Sequence, residues 1–107
     1  MTAERTDLCD LSISELAPLI RERKLSPVEV AEAALARVAA LNDRLIAFCT
    51  YDPEHVRAQA RRAEAEVMGG GQLGSLHGVP IGIKDLIFTN DLVSTGGSTA
   101  YRDFVPD

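Results

Sequence analysis

The chain has 107 residues, of which 46% are hydrophobic and 25% charged, and its formal net charge is −5. Those values suit one globular domain, or a piece of one, and exclude wholesale disorder. An acidic surface repels phosphate backbones and anionic lipid, and no stretch approaches the roughly 18 consecutive apolar residues of a membrane span, so direct nucleic-acid binding and a membrane location are disfavoured. The start, Met1-Thr-Ala-Glu-Arg-Thr-Asp7, is polar with no apolar run behind it, which predicts no secretory signal. Cys9 and Cys49 are too few for a disulfide scaffold and lack metal-ligand spacing. A cytoplasmic location is therefore the expectation.

Residues 1–10 read as a flexible lead-in. Ser12-Ile-Ser-Glu15 is a capping-box pattern, with Leu16, Leu19 and Ile20 following at helical spacing. Pro18 fits only near a first turn, which moves the predicted start of this helix to as late as Ser14. A second helix starts at Ser26-Pro27, with Glu29 completing a box. Its stripe is Ala31, Ala34, Leu35, Val38 and Leu41, and Asn42-Asp43 ends it. Leu45 to Tyr51 reads as a short buried strand. Asp52-Pro53 repeats the cap-plus-proline start, and a third helix runs from about Pro53 to Met68. Val56, Ala60, Ala63 and Val67 line its inner face, and Gly69-Gly70-Gly71 stops it. Beyond residue 70 the chain is apolar and glycine-spaced. Val79 to Ile83 is short enough for a strand buried on both faces. The helices precede strands whose sheet partners are not evident, so the core reads as unfinished.

Lys84 ends that apolar run and is followed by Asp85. A lysine among apolar neighbours loses hydration, its charged form is disfavoured, and the neutral amine can act as a general base. The plainer alternative is a strand-end lysine that reaches into water and pairs with an acid. His77 reads as a hydrogen-bonded loop residue, with no second site residue in view. Thr95-Gly-Gly-Ser98 lacks the flanks of a nucleophile elbow and the lysine of a phosphate loop, so it reads as a turn with hydroxyl-to-backbone hydrogen bonds. Cys9 reads as a tail thiol and Cys49 as a small core residue. No glycine-rich phosphate loop follows a strand, and the histidines and cysteines are scattered, so neither a cofactor nor a metal is expected.

The run Leu76-His-Gly-Val-Pro-Ile-Gly-Ile-Lys84-Asp85 resembles the lysine-bearing motif of the amidase signature family. Leu25-Ser-Pro-Val-Glu29, Leu41-Asn42, Ala47-Phe48 and Ser94-Thr-Gly-Gly-Ser98 extend the resemblance over nearly all of residues 11–107. It implies an α/β fold, a mixed sheet flanked by helices, of which residues 11–107 would supply only the N-terminal helices and first strands. It also implies a Ser–cis-Ser–Lys triad. In that family the lysine takes a proton through a bridging serine, a second serine attacks the amide carbonyl, and backbone N–H groups hold the oxyanion. Lys84 corresponds to the family lysine. The two serines would lie beyond position 107, and Ser98 corresponds to neither.

Two readings follow. In the first, the chain is the N-terminal portion of a hydrolase of carbon–nitrogen (carboxamide) bonds. The full-length protein would take a small-molecule amide substrate, with a second copy of itself or the other amidotransferase subunits as partners and with no direct nucleic-acid or membrane contact. Simple amidases and the amide-hydrolysing component of glutamyl-tRNA amidotransferase share this opening region. In the second reading the chain is a non-catalytic truncated remnant or a small helical interaction module. In either case the 107 residues alone are expected to show no turnover.

Overall fold

The computed structural model describes residues 7–107, so residues 1–6 of the expected lead-in lie outside the described residues. The chain divides into two compact units, one from residues up to 47 together with 52–80, the other from 48–51 together with 81–107.

Helical segments of the first unit begin where capping chemistry satisfies the free N–H groups of a first turn. Asp7 caps a single 3-10 turn, Leu8–Asp10, by accepting the Cys9 amide at 2.9 Å. That bond, and then the Arg37 guanidinium, hold the Asp7 carboxyl below the usual carboxylate range. Arg37 Nη2 reaches both Asp7, at 2.8 Å, and Asp10, at 3.2 Å. Helix α1 spans Ile13–Arg21, and Ser12 and Glu15 form the reciprocal box that the sequence predicts. The helix thus starts before Ser14, and Pro18 falls in its second turn. Proline there leaves the Ser14 carbonyl without its helical donor, which is tolerable because Ser14 is exposed.

Helix α2 spans Pro27–Leu45, longer than the stop at Asn42-Asp43 predicts. Its end is set by Ile46, which takes a left-handed conformation (φ 50°) and donates its N–H to the Asn42 carbonyl at 2.7 Å. Ser26 caps it through Val28, but Glu29 does not close a box. The Ser26 hydroxyl instead donates to the Glu64 carboxylate of α3, Pro53–Met68. Arg57 of α3 binds Glu32 of α2 at 2.6 Å, which holds the Glu32 carboxyl low. Leu16, Ile20, Val30 and Val67 form the core, with Leu8, Leu11, Leu25, Leu73 and Val79 packed against it. Ile20 is fully buried at 0% exposure. Burying one such side chain contributes about 1.5–3 kcal/mol.

The expected α/β architecture is corrected by the structure: no strand occurs among the described residues, and the regular structure is helical. Leu45 belongs to the last turn of α2, and the left-handed Ile46 is incompatible with a strand beginning there. Shortly afterwards Asp52 already caps α3. At the second expected strand, the Val79 N–H turns back to the Leu76 carbonyl at 3.1 Å. Residues 80–83 find no ladder partner, and a strand without one does not hold in water. Ile81, predicted to be buried on both faces, is 80% exposed.

Candidate active site

The motif from Leu76 to Asp85 divides between the two units. Its first half is packed on helices. The His77 imidazole donates from Nε2 to the Ala63 carbonyl of α3 at 2.9 Å, with Nδ1 3.7 Å from Glu66. Gly78 has a positive φ of 81°, and a Cβ there would meet Pro27 Cγ at 3.0 Å and Ile20 Cγ2 at 3.1 Å. Glycine at this position serves both backbone conformation and close approach to α1 and α2. His77 is thus a hydrogen-bonded loop residue.

The second half of the motif belongs to the other unit. Lys84 is exposed, lies in irregular backbone, and has no ion-pair partner among the described residues. Its carbonyl accepts the Ile87 N–H at 2.9 Å and closes a turn. The sequence neighbours Ile83, Leu86, Ile87 and Phe88 are exposed as well. Asp85 does not pair with Lys84. Its Oδ1 accepts the Thr95 amide at 2.7 Å, and its Oδ2 accepts the Thr95 hydroxyl and the Cys49 thiol, the latter at 3.5 Å. Its peptide carbonyl accepts the Gly96 N–H at 2.9 Å. The Thr95 hydroxyl first, and then the Thr95 amide, push the Asp85 carboxyl below its ordinary range.

Thr95-Gly-Gly-Ser98 is a turn with the hydroxyl-to-backbone bonds expected of it. Gly97 N–H donates to Thr95 Oγ1 at 3.1 Å, and Ser98 caps the 3-10 turn Thr99–Tyr101 through Ala100 at 3.2 Å. Gly96 and Gly97 both have positive φ. Buried Ser94 donates its N–H to the Phe104 carbonyl at 2.9 Å, and Phe104 meets Phe88 and Tyr101 edge-on. Cys49 is exposed, not a core residue. Asp85 as the gathering point was not foreseen from the sequence. Its partners lie 10 and 36 residues away, and only the turn chemistry of Thr95 hinted at them. Among the described residues no group of His, Cys, Asp and Glu could hold a metal. Among the described residues no helix is long and apolar enough to cross a membrane.

The amidase family, taken as a sequence model, matches residues 29–107. AmiD of Mycobacterium tuberculosis, named as an amidase, is 44% identical over 96 residues, covering 90% of this chain and 20% of that protein. The A component of the glutamyl-tRNA(Gln) amidotransferase of Tropheryma whipplei is 36% identical over 102 residues, covering 95% of this chain and 20% of that protein. The same amidotransferase component of Salinispora arenicola is 41% identical over 101 residues, covering 94% of this chain and 21% of that protein. No solved structure matches. The chain belongs to the amidase family, and it spans about one fifth of the length of the curated relatives it matches.

Proposed function

We propose that these residues are the N-terminal portion of an amidase-family hydrolase of carboxamide bonds, with Lys84 as its general base. The observation that carries this reading is the Leu76–Asp85 motif, which lies inside the region matched by the amidase family. In this scheme a serine hydroxyl adds to the amide carbonyl, and its proton passes through a bridging serine to the Lys84 amine. Collapse expels the amine or ammonia, and water releases the acyl group. Both serines come from sequence outside these 107 residues.

The exposure of Lys84 bears directly on this scheme. A lysine base works where water is excluded from it, and here the amine and the apolar residues beside it are exposed. For the 107 residues by themselves, the exposed lysine favours the non-catalytic reading. The full-length protein takes a small-molecule amide substrate. The relatives named as amidotransferase components support a role within such an assembly, the variant of this reading in which released ammonia is transferred. The two free thiols, Cys9 and Cys49, fit a reducing cytoplasm.

The test is release of ammonia from simple carboxamides by the full-length protein and by its Lys84→Ala variant. Turnover in the first and a loss of about 10³-fold or more in the second is expected, the scale for a group acting as general base. A Lys84→Ala protein that keeps its rate refutes the assignment. The 107-residue chain alone is expected to release none.

A further inference from the structure

We propose that Asp85 is a positioning residue for Lys84, tying the backbone that carries the amine to the Thr95–Gly97 loop. This rests on the reading of Lys84 as the base.

Asp85 follows Lys84 directly and engages every acceptor it has. The side chain takes the Thr95 amide, the Thr95 hydroxyl and the Cys49 thiol, and the main chain takes the Gly96 amide. All four donors are uncharged, so Asp85 is not serving as the counter-ion of Lys84. On the other side, the Lys84 carbonyl is fixed by the Ile87 N–H. The Lys84 carbonyl and the carboxylate and carbonyl of Asp85 are therefore all engaged, although the segment belongs to no helix or strand. A base must sit within hydrogen-bond reach of the proton it removes, and misplacement by about 1 Å can cost about 100-fold in rate. A flexible lysine side chain gains most from a fixed root.

Two measurements decide the proposal. In the 107-residue chain, Asp85→Asn leaves an amide where the hydroxyl and thiol need an acceptor. Hydrogen exchange at Thr95 and Gly96 should then quicken about tenfold, while Lys84→Ala leaves it unchanged. Unaltered exchange in Asp85→Asn overturns the proposal. In the full-length protein, Asp85→Asn should lower kcat about tenfold or more with KM nearly constant. Thr95→Val should behave likewise, and Thr95→Ser should restore the rate by returning the hydroxyl. If Lys84→Ala abolishes turnover but Asp85→Asn keeps its kcat, the positioning role is refuted and the base assignment survives. If Lys84→Ala keeps turnover, the base assignment itself fails, and the positioning role fails with it.

Discussion

The helical unit and the loop unit are held by different physics. In the first, three helices start on local caps and share one apolar core around Ile20. In the second, irregular segments are gathered by hydrogen bonds to Asp85 and by the contacts of Phe104, while Ile81, Leu86, Ile87 and Phe88 remain exposed. Burial is non-directional and summed over many contacts, so the helical unit should resist single polar changes. A knot of a few directional bonds fails when one acceptor is lost. Lys84, the proposed base, belongs to the unit with little buried apolar surface.

That contrast can be broken in the helical unit first. Ile20→Ala empties the best-buried position and should cost about 2–5 kcal/mol, read from the denaturant midpoint of the helical signal. A loss below about 1 kcal/mol would place the core elsewhere. Gly78→Ala sets a Cβ against Pro27 and Ile20 at an unfavourable φ. It should cost about 1–3 kcal/mol by the same measurement, and a neutral result would mean that the loop is free to move off the helices. Ser26→Ala removes the α2 cap and the hydroxyl bound to Glu64, and a loss of about 1 kcal/mol is expected.

The loop unit answers to pH instead. The Asp85 carboxyl titrates below its unfolded value because Thr95 donates to its charged form. The stabilisation is complete above the unfolded value, near 3.9, and is lost as pH falls through the lower folded value. Thr95 and Gly96 amides should therefore lose protection below about pH 4 before the middle of α2 does. Simultaneous loss in both units would show that Asp85 is not a local anchor.

Much of the helical unit was legible in the residues. Ser12, Ser26 and Asp52 cap helices where their hydroxyls and carboxylate suggested, and α3 has the predicted span. The motif around Lys84 pointed to the family that the comparison then established. The strands were not legible correctly. The apolar runs at Leu45–Tyr51 and Val79–Ile83 satisfy strand patterning, but pattern alone does not supply a neighbour to bond with. Cys49 was misplaced for a related reason, since an apolar neighbourhood in sequence is not a buried one in space.

The sequence by itself determined which residues cap the helices and which family the chain belongs to. Each of those depends on residues within a few positions of one another, or on a short motif read as a unit. Only the tertiary structure decided that the apolar runs form no sheet, that Lys84 is exposed and that Asp85 gathers Thr95 and Cys49. The last of these depends on partners 10 and 36 residues away, and the folded chain chooses such partners through geometry that no local pattern encodes.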